Sequence, residues 1–158
     1  MFIEKHSVDG LTIECDNLMI SLKKVPFNHF IMNKLLQDLA DAQINVDIIS
    51  RTAPIMNAFD ISVIVRETGW EEVEKIVNAL GDEYPEIKIS MNKDITRLHL
   101  NGLGMRTQSG VAARFLKVFA DNDVRVLMIT TSEIGMACVV KNDGVKQVVE
   151  AISKEFSL

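Results

Sequence analysis

The chain of 158 residues contains little of what marks the more specialised classes of protein. Its two cysteines, Cys15 and Cys138, lie far apart without paired spacing, which predicts reduced thiols and a cytoplasmic location. No run of about 18 apolar residues occurs, so we expect no membrane-spanning helix and no membrane partner. The first residues, MFIEKHSVDG, mix charged with apolar side chains, so no signal peptide is expected.

Basic charge and aromatic side chains are also scarce. The formal net charge is −5, and the chain has one tryptophan and one tyrosine. Proteins that bind nucleic acid usually present a basic surface, and the sheets that bind RNA stack bases on strand aromatics. The composition therefore argues against a nucleic-acid partner.

No arrangement of residues predicts catalysis, a metal or a cofactor. His6, His29 and His99 are scattered, none at a metal-ligand spacing with a cysteine or carboxylate, and no serine or cysteine has a discernible base partner. The glycine-rich stretch NGLGMRTQSG has Thr107 where a dinucleotide fingerprint needs its third glycine, and the Gly-Lys-Ser/Thr of a phosphate loop is absent. We therefore assign no catalytic residue.

An internal repeat dominates the sequence. ADAQINVDII, residues 40–49, aligns without gaps with ADNDVRVLMI, residues 120–129, at an offset of 80. Beyond Ile49 the first copy has five extra residues, and DISVIVRETGWEEV then aligns with GMACVVKNDGVKQV at an offset of 75. The chain therefore contains two copies of one structural unit.

Each copy has the pattern strand, helix, strand, strand, helix. Apolar residues one helical turn apart predict a helix over 30–42 in the first copy and over 109–121 in the second, and alternation of apolar and polar residues predicts the strands. Asn28, Thr68 and Asp143 are expected to cap helices. The predicted fold class is α+β, with two ferredoxin-like βαββαβ units whose antiparallel sheets carry helices on one face.

The number of strands suggests how the copies are connected. The second copy lacks a closing strand, whereas GLTIECD, residues 10–16, is a spare strand at the N-terminus. We therefore expect residues 16–92 to form a first domain inserted into a second one, made of residues 1–15 and 93–158.

The glycines before the second-copy helix raise the possibility of a small-molecule site. Glycine lets backbone N–H groups approach a ligand, and a helix start favours a carboxylate. A nearby carboxylate, such as Asp47 or Glu133, could hold an ammonium group, and a ligand with both groups is an amino acid. On physical grounds alone, a loop that merely turns the chain explains the glycines equally well.

Three segments resemble a known family. GLGMRTQSGVAARFLKVFADNDVRVLMITTSEI is similar to the second ACT domain of aspartate kinases, LADAQINVDIISRT to the first, and VDGLTIECDN to the strand before the pair. The resemblance implies one ACT domain inserted in another and a homodimer formed through ACT domains. It also implies regulatory binding of lysine or threonine between two chains, for feedback control of the biosynthesis of aspartate-family amino acids.

The catalytic domain of that family, which binds ATP and aspartate, has no counterpart in these 158 residues, so we expect no enzymatic activity from this chain. It could be a separate regulatory subunit that works with a kinase domain or subunit, or a fragment of a kinase. The alternatives are a free-standing ACT sensor that regulates another protein and a dimerisation module without a ligand.

The resemblance also implies ligand-binding residues in both copies. They are Met105, Gln108, Ser109, Gly110, Val111, Ala112, Arg125, Val126, Ser132 and Glu133 in the second copy, and Asn45, Val46 and Asp47 in the first. The sequence also departs from the family pattern, and two of the departures bear on these residues. Phe30 stands where a glycine usually falls, which predicts crowding of the first-copy helix start, and Leu127 stands where lysine-binding copies carry aspartate.

Overall fold

A computed structural model describes residues 8–104 and 109–158 and divides the chain into two compact units. The first unit is Asp16–Asp94, and the second consists of Ile95–Leu158 with the described residues that precede Asp16. The strands β1 (Gly10–Pro26) and β4 (Lys88–Asn101) each contribute residues to both units.

The first unit is a four-stranded sheet with two helices. Its elements are the second part of β1, α1 (Phe30–Asp41), β2 (Val46–Arg51), β3 (Ala58–Arg66), α2 (Trp70–Glu83) and the first part of β4. The strand order is β2-β3-β1-β4, and β3 pairs antiparallel with both β1 and β2. The five extra residues of this copy fall in the β2–β3 connection, where Met56 and Asn57 adopt positive φ angles.

The core of the first unit forms between one sheet face and both helices. Alternate strand residues meet side chains that recur at helical spacing, because a strand repeats its facing every two residues and a helix about every 3.6. The buried contributors include Leu18, Ile20 and Leu22 from β1, Ile61, Val63 and Val65 from β3, Ile31, Leu35 and Leu39 from α1, and Val73, Val77 and Leu80 from α2.

The second unit repeats this arrangement. It contains the first part of β1, the second part of β4, α3 (Val111–Asp121), β5 (Val126–Ser132), β6 (Gly135–Lys141) and α4 (Val145–Phe156). The order is β1-β4-β6-β5, with β6 antiparallel to both β4 and β5. Its core includes Val8, Leu98, Leu100, Phe115, Phe119, Cys138, Val140, Val148, Ile152 and Phe156. The predicted α+β class with two ferredoxin-like units is confirmed.

Two of the expected helix caps are wrong. Thr68 and Asp143 lie inside short 3₁₀ turns, Glu67–Gly69 and Asn142–Gly144, and the helices that follow begin without a side-chain cap. The third cap is correct, because the Asn28 Oδ1 accepts hydrogen bonds from the backbone N–H groups of Phe30 at 3.1 Å and Ile31 at 3.4 Å. Among the described residues, no helix is both long and apolar enough to cross a bilayer.

Candidate functional site

The start of α3 has the backbone geometry that its glycine predicts. Gly110 precedes the helix with φ +92° and ψ −7°, a left-handed conformation that side-chain-bearing residues rarely adopt. Ser109 and Gly110 are exposed, whereas Val111 is buried in the core of the second unit. The first N–H groups of a helix have no intrahelical partner, so this exposed helix start can receive a carboxylate. Met105 and Gln108 lie outside the described residues.

The turn between β5 and β6 lies at the same end of the second unit. The Ser132 Oγ donates to the Gly135 carbonyl at 3.3 Å and accepts from the Ile134 N–H at 3.4 Å, which closes the turn that exposes Glu133. The Gly102 N–H, at the start of the connection to α3, donates to the Ile134 carbonyl at 2.9 Å. Two groups of predicted residues, 109–112 and 132–133, therefore belong to one end of the unit.

Arg125 and Val126 lie at the opposite end of β5. The strand runs from Val126 to Ser132, and at roughly 3.3 Å per residue it separates these groups by about 20 Å. The register slips between Val126, which pairs with Val140, and Met128, which pairs with Val139. Leu127 therefore lies in a β-bulge. One unit does not bring all of its predicted residues to a single point.

The first unit has the same bulge at the equivalent place. Val46 pairs with Val65 and Ile48 pairs with Ile64, which leaves Asp47 in the bulge and Asn45 just before the strand. The Asp47 Oδ2 lies 3.4 Å from the Arg66 Nε. The carboxylate expected to hold an ammonium group is therefore engaged by a guanidinium. Because the Arg66 side chain is 52% exposed, this ion pair adds at most about 1 kcal/mol to stability.

The start of α1 differs from that of α3 for a reason other than crowding. The Phe30 side chain is 78% exposed, so its ring is turned to solvent. The Asn28 side chain already accepts hydrogen bonds from the first two N–H groups of this helix. A ligand carboxylate at this helix start would have to displace an existing cap.

The second unit contains a buried thiol, Cys138, and a half-buried histidine, His99. Burial in β6 raises the pKa of the Cys138 thiol to about 12, which keeps it protonated and unreactive at neutral pH. Burial, with the nearby Arg97 charge, lowers the pKa of His99, whose imidazole lies against Gly135. Both cysteines are free thiols, and the described residues contain no cluster of three or more potential metal ligands.

Known proteins resemble this chain along nearly its whole length. The sequence profile of the ACT domain matches residues 98–156. An aspartate kinase of Pseudomonas fluorescens (strain SBW25) is 25% identical over 156 residues, 99% of this chain and 38% of that protein. The structure of the aspartate kinase from Synechocystis superposes with a TM-score of 0.89 at 29% identity, covering 100% of this chain and 28% of that one.

The second unit is therefore similar to an ACT domain, and the chain is similar to aspartate kinases along nearly its whole length. A structure of aspartokinase α and β subunits contains a chain that matches this one at a TM-score of 0.84 and 25% identity. That match covers 96% of this chain and 99% of the other. The chain spans about two fifths of the length of the curated aspartate kinase it matches.

Sequence reasoning missed Arg66, which forms an ion pair with the Asp47 carboxylate in the first unit. The signal was present in the repeat, because the offset of 75 aligns Arg66 with Lys141 and the offset of 80 aligns Asp47 with Leu127. Both copies therefore have a cation at this place, and the second copy has leucine where the first has the anionic partner.

Proposed function

We propose that this chain is the regulatory, amino-acid-binding region of an aspartate kinase and senses lysine, threonine or both for feedback control of aspartate-family biosynthesis. In this proposal residues 16–92 are a first ACT domain inserted into a second one, made of 1–15 and 93–158. The observation that carries it is the exposed helix start at Gly110, at the same end of the second unit as Ser132 and Glu133, in a chain similar to aspartate kinases over 99% of its length.

The chemistry of this end suits an amino acid. The α3 helix start offers N–H groups to a carboxylate, and the exposed Glu133 carries a charge that suits an ammonium group. Asp47 in the first unit could serve the same purpose if the ligand ammonium replaced the exposed Arg66. The proposal assigns none of these residues to a cofactor or to catalysis.

A second copy of the chain is the partner that the geometry favours. Within one unit, β5 separates Arg125 and Val126 from Ser132 and Glu133 by about 20 Å, more than a single amino acid can span. A ligand between two chains could touch a helix start of one chain and a bulged strand of the other. Phe30, Ile55 and Met56, which are 78%, 74% and 96% exposed, provide apolar surface for such a homodimer.

Regulation would follow from differential affinity. An amino acid that binds one arrangement of the dimer more tightly shifts the population toward it, and such couplings are typically worth about 1–3 kcal/mol. A kinase catalytic domain or subunit joined to the dimer would then change activity with ligand concentration. A cytoplasmic location agrees with this role.

Isothermal titration calorimetry of the full chain with lysine, threonine and methionine tests the binding step. We expect saturable heat with lysine or threonine, and a melting temperature that rises with ligand concentration as mass action requires. Heat with methionine alone would favour a free-standing ACT sensor of another protein. If none of the three binds while sedimentation shows a dimer, the chain is a dimerisation module and the proposal fails.

A matched pair of variants tests the first-unit residues. Asp47→Asn removes the bulge carboxylate, so we expect about tenfold or greater loss of affinity for lysine, since charge-assisted hydrogen bonds are the strong ones. Glu71→Gln removes an exposed carboxylate elsewhere in the same unit and should leave the affinity unchanged. Equal effects of the two substitutions would exclude a specific role for Asp47.

A further inference from the structure

The second unit contains a cavity that none of the helix-start residues lines. It has a volume of about 390 Å³ and lies where β5 begins and α4 starts. Val124 and Leu127 form apolar wall, Arg125 and Lys141 contribute positive charge, and Asp123 and Asp143 contribute negative charge. Small-molecule sites in proteins commonly have volumes of roughly 300–1,000 Å³.

The internal repeat shows what occupies the same place in the first unit. There the cation, Arg66, lies 3.4 Å from the carboxylate of Asp47. In the second unit Lys141 keeps the positive charge, but Leu127 replaces the aspartate. Within the described ranges, neither Lys141 nor Arg125 forms an ion pair. The second unit therefore keeps the cation and lacks the internal carboxylate.

The walls of this cavity are held in place by the fold. Leu127 lies in the β-bulge, which removes it from the regular alternation of β5, and its side chain is 37% exposed. Gly144, in the 3₁₀ turn before α4, is buried, and a β-carbon there would be 2.9 Å from the Val124 methyls. The close packing of Gly144 on Val124 fixes the start of α4 against the start of β5.

We propose that this cavity binds a free α-amino acid within a single chain, and that the ligand carboxylate takes the place opposite Lys141 that Asp47 fills opposite Arg66 in the first unit. The lining carries two cations and two anions, so it suits a zwitterion better than a phosphate, which Asp123 and Asp143 would repel. The ligand ammonium would face these aspartates, and its side chain would contact Leu127.

This site is separate from the proposed inter-chain site, and it rests on the proposed function only for the choice of amino acids as ligands. The two sites share Arg125, which the family resemblance implicates through its backbone and the cavity through its side chain, and they share position 127. They also predict opposite effects at Leu127. By family resemblance an aspartate there should strengthen lysine binding, whereas in the cavity it should pair with Lys141 and exclude the ligand.

Nuclear magnetic resonance of the ¹⁵N-labelled full chain distinguishes the two sites. Lysine, threonine and methionine are titrated separately, with the Gly144 and Gln147 amides as reporters of the cavity and the Ser109 and Gly110 amides as reporters of the α3 start. We expect saturable shifts at Gly144 and Gln147 with at least one amino acid. Cadaverine, which is lysine without its carboxylate, should produce none.

Two variants and a matched control complete the test. Lys141→Met should weaken the affinity read at Gly144 by about tenfold or more, because it removes a charge-assisted contact. Leu127→Asp should abolish that binding in a folded protein, whereas Arg66→Met, the equivalent change in the first unit, should leave it unchanged. Unaltered binding in Lys141→Met, or stronger binding in Leu127→Asp, overturns the cavity site.

The remaining outcomes separate the two proposals. Shifts confined to the α3 start would overturn the cavity site and leave the proposed sensor function standing. Shifts confined to Gly144 and Gln147 would support the cavity and count against the helix-start site. The absence of shifts anywhere with all three amino acids would overturn both.

Discussion

Gly144 lies so close to Val124 that a β-carbon on this glycine would be 2.9 Å from both methyl carbons of the valine. The corresponding pair of the first unit, Gly69 and Ile44, would leave 3.4 Å. Both glycines have ordinary negative φ values, −94° and −91°, so neither is needed for its backbone conformation. Both copies thus have a glycine at the same place, but the first copy leaves more room for a larger residue there than the second does.

Gly144→Ala should therefore destabilise the protein by about 1–3 kcal/mol, the usual cost of overpacking, since the branched Val124 side chain has little freedom to move away. Gly69→Ala should be neutral or stabilising by up to about 1 kcal/mol, because alanine restricts the unfolded chain and meets only ordinary contact distances. Chemical denaturation of the full chain measures both. Equal destabilisation by the two substitutions would contradict this account.

Gly110→Ala should be costly for a different reason. A β-carbon at Gly110 would have no neighbour within 4 Å, so the cost arises from the φ of +92° alone. We expect a loss of stability of about 1–2 kcal/mol, the range for a left-handed residue with a side chain. Gly10→Ala is the control, because Gly10 also has open space around it but no positive φ. Thermal and urea unfolding of both variants would show whether the positive φ angle or a steric contact of the new β-carbon destabilises the protein.

Protonation of His99 should make the stability depend on pH. Burial lowers the pKa of this histidine in the folded state below its ordinary value of 6.5, so the unfolded chain takes up a proton more readily. The contribution is fully present above pH 6.5 and is lost as the pH falls through the range below it. Urea unfolding at pH values between about 7.5 and 5.5 should show stability falling toward acid.

His99→Gln should reduce the slope of that pH dependence, because the titrating group is gone. The matched control is His29→Gln, which changes an exposed histidine before α1. An unchanged slope in His99→Gln would assign the pH dependence to other groups.

The N-terminal strand should stabilise the second unit. Val8 is 3% exposed in the core of that unit, and Glu14 forms an ion pair with Arg97 at 2.6 Å. The Asn101 Nδ2 also donates to the Thr12 Oγ1 at 3.0 Å. Removal of residues 1–15 takes away these contacts and exposes the edge of β4, so the melting temperature should fall. Hydrogen exchange should quicken most at second-unit amides such as Phe115 and Val140.

Two point substitutions control for the size of that deletion. Val8→Ala removes buried apolar surface and should cost about 1–2 kcal/mol, whereas Ile13→Ala, in β1 and 43% exposed, should cost less than about 1 kcal/mol. An unchanged melting curve after the deletion would show that the second unit is complete without its N-terminal strand.

The sequence predicted the helices and strands well, but it predicted less well where one strand ends and the next begins. Helix α1 was expected over 30–42 and spans Phe30–Asp41, because its apolar spacing and the Asn28 cap are local signals. Segment 10–16 was expected as a spare strand outside the first copy, but β1 runs unbroken from Gly10 to Pro26 and continues into that copy. Polar residues at that junction look like a turn in the sequence, whereas pairing with neighbouring strands keeps the backbone extended.

For the candidate site, the sequence predicted the positions of possible ligand-binding groups. It did not predict which neighbouring residues already pair with those groups. The requirement for glycine at 110 follows from a helix start, and the structure agrees. The Asp47–Arg66 pair joins residues 19 apart in the chain, and the capping of Phe30 by Asn28 depends on a side-chain rotamer. Neither contact follows from composition or periodicity, since each depends on three-dimensional placement.

The paired bulges at Asp47 and Leu127 have a consequence for how the two copies diverged. A residue in a bulge leaves the hydrogen-bonded ladder and the regular alternation of faces, so its side chain can change with little effect on the sheet. After duplication of one ancestral unit, the side chain at this position could change in either copy while the fold stayed under selection. The bulge thus provides one position where a substitution has little effect on folding. New ligand preferences could arise there first.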